Sequence, residues 1–164
     1  MRDPWAAPDP WAAQDALGRT TTRWGAASVV AGLGLAAVRR DPWSRAFGVQ
    51  NAGWGVVDLA IVLVAAPRTR RRKARLPDPY APAALAAESR KLRRLLLVNV
   101  ALDVGYVAGG AALWRWRRDH PAASGASAGI VVQGAFLLLH DALHAARLGG
   151  ATTARADGGR GASG

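Results

Sequence analysis

Three carboxylates in apolar parts of this sequence are the residues best placed to do chemistry. Asp58, Asp103 and Asp141 each lie inside a long apolar run, and the runs around Asp58 and Asp103 contain no Lys or Arg. A carboxylate in apolar surroundings is costly unless it is neutralised, paired or bound to a cation. These three side chains are therefore candidates for holding a proton or a metal ion, or for bonding helices together.

Two histidines add metal-ligating capacity close to Asp141. His140 and His144 are four residues apart, so a helix places both on one face. Together with Asp103 or Asp58 they offer nitrogen and oxygen ligands to a divalent metal. Haem is disfavoured because two histidines on one helix cannot ligate opposite faces of the porphyrin, and His120 falls in a loop. A metal at these four residues is one open hypothesis, and no cofactor is indicated.

Further polar residues recur around the carboxylates at helical spacing, which places them on single helix faces. Because lipid offers no hydrogen-bond partners, such polar faces should meet inside a bundle. Interhelical hydrogen bonds, worth roughly 0.6–2 kcal/mol each in a membrane, explain the pattern without further activity. A path for protons or ions is the alternative. The predicted polar core comprises Asn51, Trp54, Asp58, Asn99, Asp103, Tyr106, Gln133, His140 and Asp141.

Enzymatic activity is not favoured by these residues. Hydrolysis by covalent catalysis needs an activated nucleophile, and no Ser, Thr or Cys falls beside the polar groups on the helical faces. The sequence contains no Cys and no Gly-rich loop of the phosphate-binding kind.

The elements that must position the polar core are long apolar helices. Residues 95–114 form a run of twenty with no Lys or Arg, which at about 1.5 Å per residue matches a hydrocarbon core of about 30 Å. Similar runs predict spans at about 20–38, 46–66 and 126–148. The predicted fold class is all-α, a membrane-spanning four-helix bundle made of two helical hairpins.

The first of these spans has the weakest signal. Its apolar part, 24–38, has only fifteen residues, so an interfacial or re-entrant helix is the alternative. Small residues recur along it every three or four positions and predict close packing against a neighbouring helix. This ridge consists of Gly25, Ser28, Gly32 and Ala36.

The flanking segments are predicted to carry little structure. Residues 1–19 repeat the motif DPWAA, and Trp5 and Trp11 suit the headgroup layer, so this segment is expected to be a mostly disordered tail that touches the membrane. Residues 149–164 are expected to be disordered, and Pro67 is expected to end the second span.

The distribution of charge predicts both partner and orientation. The chain has 164 residues, is 51% hydrophobic and carries a net charge of +11. Its basic residues occur in short blocks beside apolar runs, which favours anionic lipid headgroups at the 68–94 loop over nucleic acid. Sixteen basic residues fall on one side of the four predicted spans and six on the other, which places both termini in the cytoplasm and the protein in the cell membrane. A homo-oligomer or another membrane protein is a further expected partner.

Three strings carry a resemblance to a known group of proteins. QNAGWGVVDLAI (50–61), LVNVALDVGYVAGGAAL (97–113) and GIVVQGAFLLLHD (129–141) resemble an uncharacterised bacterial family of integral membrane proteins with four helices. The similarity covers about residues 20–148. It implies the fold and a membrane location, and it implies no activity, because none is assigned to that family.

Overall fold

The computed structural model describes the backbone of residues 9–158 and the side chains of residues 9–149, and over that range it contains no strand. Four helices fill it: α1 (Pro10–Val38), α2 (Pro42–Ala74), α3 (Pro82–Trp116) and α4 (Pro121–Gly158). Short turns join successive helices, so each runs antiparallel to the next. The prediction of an all-α, four-helix architecture is confirmed.

Proline and aspartate define where the helices begin. Each helix has Pro as its first residue, where the missing N–H costs nothing because that amide has no intrahelical partner. Before α1, the Asp9 carboxylate accepts a hydrogen bond from the Trp11 amide at 2.9 Å. Before α2, Asp41 accepts from the Ser44 amide at 2.8 Å, and this bond holds the pKa of Asp41 below its usual range.

The expectation of a disordered N-terminal tail over 1–19 is wrong from residue 10 onward, because α1 begins there. Trp11, expected in the headgroup layer, is instead 2% exposed, and its indole N–H donates to the Pro79 carbonyl at 3.0 Å. The guanidinium of Arg72 lies 5.8 Å above the same ring. These contacts fix the start of α1 against the turn that follows α2. The first DPWAA motif, with Trp5, lies outside the described residues.

Two helices, α2 and α4, extend beyond the C-terminal ends predicted for them. Pro67 does not end the second helix, because α2 continues through it to Ala74. Thr69 and Arg72, in the turns beyond the proline, bond to the Gln14 side chain at 3.0 and 3.2 Å, and this stabilises the extension. The tail expected over 149–164 is helical as far as Gly158, while 159–164 lie outside the described residues.

The α1–α2 hairpin packs backbone against backbone. A Cβ on Gly32 would lie 2.5 Å from the Gly48 carbonyl oxygen, and a Cβ on Gly55 would lie 2.5 Å from the Gly25 carbonyl oxygen. Only glycine allows this approach, and we call the contact made by these four residues the glycine seam. It confirms the predicted small-residue ridge of α1. In the same bundle α3 packs on α4 and α2 packs on α4, whereas α1 and α3 have little contact.

The outer surface is apolar while buried positions are often polar. Leu63 is 75% exposed and Leu102 is 61% exposed, whereas Asp58 is only 1% exposed. Within the described residues, α2, α3 and the 121–149 part of α4 are long and apolar enough to cross a membrane, and α1 does not reach that standard. Soluble monomers rarely expose so much contiguous apolar surface.

Candidate functional site

The three carboxylates predicted to belong to the polar core line one cavity. Its volume is about 260 Å³, and it lies between α2, α3 and α4 with one residue from α1. Among the described residues its lining contains no Lys or Arg that would neutralise the carboxylates. The lining consists of Thr21, Trp54, Asp58, Ile61, Asn99, Leu102, Asp103, Tyr106, Gln133, Gly134, Leu137 and Asp141.

Asp58 and Asp103 are the least satisfied groups in this cavity. Both side chains are buried, and one carboxylate oxygen of each has no hydrogen-bond partner among the described residues. An unpaired buried polar atom forfeits its hydration without replacement, and an unpaired buried charge costs more still. These two oxygens are therefore the positions at which a proton or a cation would be held most favourably.

Asp141, the third carboxylate, is bonded on both sides. One oxygen accepts a hydrogen bond from the Asn99 amide nitrogen at 2.9 Å, and the other lies 3.3 Å from Nδ1 of His140. Asn99 lies one turn from Asp103 on the same helix. The Asn99 side-chain amide nevertheless reaches across to α4, where the Asp141 carboxylate accepts its hydrogen bond.

Gln133, which also lines the cavity, is the centre of a fully bonded network. Its carbonyl oxygen accepts from the Trp24 indole N–H at 2.7 Å. Its amide nitrogen donates to the Ser28 hydroxyl at 3.0 Å and to the Asn51 side-chain oxygen at 2.8 Å. The Asn51 amide in turn donates to the Phe47 carbonyl at 2.8 Å. This network ties α1, α2 and α4 together at one level.

Aromatic side chains form the side of the cavity between α2 and α3. Trp54 and Tyr106 meet edge to face, with ring centroids 4.9 Å apart. Tyr106 is 46% exposed, more than expected for a member of the polar core, and its neighbours Ile61 and Leu102 are also exposed. The cavity therefore opens laterally between α2 and α3.

The four metal candidates do not form one site. Among the described residues, no group of three or more His, Asp or Glu side chains is arranged to hold a metal ion. Nδ1 of His144 donates to the His140 carbonyl at 2.8 Å, and the His140 ring stacks on Phe136. Asp58 and Asp103 line the cavity, which neither histidine lines.

Sequence reasoning missed the contribution of α1 and of the helix ends. Thr21, Trp24 and Ser28 all contact the site from α1, and only Ser28 had a signal, as part of the small-residue ridge. At the end where α1 begins, the guanidinium of Arg72 forms an ion pair with the buried Glu88 carboxylate, which also accepts from Gln14 at 3.2 Å. Nothing in the spacing of these residues along the chain brings them together.

A helical bundle with an apolar exterior and a polar, cavity-containing interior has the construction of a helical membrane protein. The model of a family of unknown function, DUF6992, matches residues 20–142, and the chain belongs to that family. This agrees with the resemblance carried by its three sequence strings. No curated protein and no solved structure matches the chain.

Proposed function

We propose that this chain is a multi-pass membrane protein whose carboxylate cavity takes up and releases protons, as the ion-binding part of a small carrier or coupled subunit. The observation that carries the proposal is that Asp58 and Asp103 each present a buried, partnerless oxygen in one cavity. With no Lys or Arg in the described lining, a proton is the simplest neutralising cation. A metal is disfavoured by the lack of a converging ligand set in the described residues.

The distribution of basic residues supports one orientation of the bundle in the membrane. The basic residues of 68–94 lie at the end of the bundle where α1 begins, and most of them are exposed. We place this end on the cytoplasmic side, against anionic headgroups, with both termini. The lateral opening between α2 and α3 then faces hydrocarbon, and the carboxylates lie inside the membrane.

A structural role is the second candidate, and the Gln133 network favours it for part of the polar core. Gln133, Asn51 and Trp24 satisfy one another, so they need no ligand to be stable. We assign these residues to holding three helices in register, and we assign proton binding to the cavity alone.

Infrared difference spectroscopy on the purified chain in lipid nanodiscs tests proton uptake directly. Between high and low pH we expect a carbonyl band of a protonated carboxyl group in a non-aqueous setting. Asp58→Asn or Asp103→Asn should remove or shift that band, because each deletes one of the two partnerless carboxylates. Asp119→Asn is the matched control, since Asp119 lies in the exposed turn between α3 and α4.

Proton flux into vesicles then separates carrier from scaffold. Vesicles containing the wild-type chain and an internal pH dye should acidify faster than empty vesicles when a pH gradient is applied. Asp58→Asn should reduce the rate to that of empty vesicles while the melting temperature is retained. A wild-type chain without a buried carboxyl band and without flux contradicts the proposal and leaves the structural role.

A further inference from the structure

A second cavity of about 190 Å³ lies between the start of α1 and residues 144–148 of α4. His144 lines it, together with Asp9 and Arg147, the two charged groups that face this histidine there. Asp58, Asp103 and Asp141 do not line this cavity, so protons entering it need a route through the protein to reach them. The side chains between the two cavities decide whether such a route exists.

Two buried side chains of α4, those of His140 and Asp141, connect His144 with the first cavity. The His144 and His140 rings have centroids 4.7 Å apart, within reach of one hydrogen bond after a side-chain rotation. Nδ1 of His140 lies 3.3 Å from a carboxylate oxygen of Asp141, and Asp141 lines the first cavity. His140 is buried, and its Nε2 has no partner among the described residues. A buried hydrogen-bonding atom without a partner therefore belongs to the side chain that contacts both His144, which lines the second cavity, and Asp141, which lines the first.

We propose that His144, His140 and Asp141 form a proton relay from the second cavity to the carboxylate cavity. This inference rests on the proposed function, because it supplies the proton that the carboxylates take up. Histidine suits the task, since it both accepts and donates a proton near neutral pH and has two ring nitrogens.

The proton balance of the relay can be written step by step. Nε2 of His144 accepts a proton from solvent in the second cavity, because its Nδ1 already carries the hydrogen that bonds the His140 carbonyl. Rotation of the imidazolium passes one proton to Nε2 of His140. His140 then releases its Nδ1 proton to Asp141, which becomes a neutral carboxylic acid beside Asp103 and Asp58. Both imidazoles end neutral, and reorientation of the rings resets them.

The relay is tested by the rate at which the cavity carboxyl band appears after a pH jump in nanodiscs. His144→Gln keeps a donor for the His140 carbonyl but cannot relay a proton, so the rate should fall at least about tenfold. The rate in the His144→Ala variant should fall likewise, and added imidazole should restore that rate. His120→Ala, which alters the histidine in the exposed turn before α4, should leave the rate unchanged.

Each alternative outcome has one meaning. A wild-type rate in both His144 variants, with the carboxyl band present, overturns the relay and leaves proton uptake in place. Slow variants that imidazole does not rescue, and that also melt early, assign His144 a structural role and overturn the relay. Absence of the band in the wild-type chain rejects the proposed function, and the relay falls with it.

Discussion

Asp103 and Asp141 face the same cavity and differ in their hydrogen bonds. Asp141 accepts from Asn99 and pairs with His140, whereas a buried oxygen of Asp103 has no partner among the described residues. A bonded polar group stabilises the fold, and an unbonded one destabilises it by the hydration it has lost. The two aspartates therefore contribute to stability with opposite signs.

Substitution by leucine should reveal that difference. Asp141→Leu leaves the Asn99 amide without its acceptor, so we expect a loss of about 1–3 kcal/mol in the free energy of unfolding. Asp103→Leu removes an uncompensated buried group and should melt at or above the wild-type temperature. Thermal unfolding in one detergent compares the two variants. An early-melting Asp103→Leu protein would mean that Asp103 is bonded in the folded state.

For single residues, helical geometry made the level of each aspartate predictable from the sequence but not its hydrogen-bond partner. The three aspartates lie at similar depths in antiparallel spans, and depth follows from the number of residues between each aspartate and the end of its span. Asn99 bonds to Asp141 rather than to Asp103, and Trp24 bonds to Gln133. Both bonds depend on which helices are neighbours in the bundle. Spacing along one chain segment carries no information about those neighbours.

Among the elements, α1 and α2 are joined by contact between their backbones. Gly25 and Gly32 of α1 meet Gly55 and Gly48 of α2, and each pair is too close for a side chain. Gly34, two residues beyond Gly32, would meet nothing within 4 Å if it carried a Cβ. Whether a glycine of α1 has room for a side chain therefore depends on whether it lies in the glycine seam.

Two alanine substitutions should therefore change stability in opposite directions. Gly32→Ala forces a Cβ against the Gly48 carbonyl and should cost about 1–3 kcal/mol, as overpacking of a tight contact does. Gly34→Ala adds helix propensity without a clash and should raise stability by roughly 0.5–1 kcal/mol. Melting curves of both variants decide this, and equal shifts of the same sign would show that the seam is not tight.

The elements themselves were more predictable than their ends. Apolar runs located all four helices, but α2 extends beyond its run, to Ala74. This extension depends on contacts such as the ion pair between Arg72 and Glu88, which links α2 to α3. Hydropathy predicts the apolar part of a helix and does not predict whether the helix continues into a polar segment.

At the scale of the whole molecule, one end of the bundle is strongly basic. Residues 68–94, which run from the end of α2 into α3, carry ten of the 22 basic residues, whereas residues 115–118 carry three. An asymmetry of this kind sets the orientation of a membrane protein. The proposed placement of this end in the cytoplasm rests on this rule.

Cysteine labelling tests the orientation, and the chain is well suited to it because it contains no native Cys. Ala83→Cys, at the exposed start of α3, should react with a membrane-impermeant maleimide only after intact cells are opened. Asp119→Cys, in the turn between α3 and α4, should react in intact cells. The reverse pattern would invert the proposed topology, and equal labelling of both before opening would argue against a membrane-spanning arrangement.

For a chain with the proposed topology, the glycine seam has a consequence for insertion into a membrane during synthesis. Within the described residues α1 is the helix that does not reach the apolar standard for crossing alone. Its close contact with α2 removes backbone and polar groups, Ser28 among them, from lipid. The emerging chain would thus hold α1 at the surface until α2 has been made, and the two would cross together as a hairpin. A lesion in the seam would then act on biogenesis, lowering the amount of protein inserted.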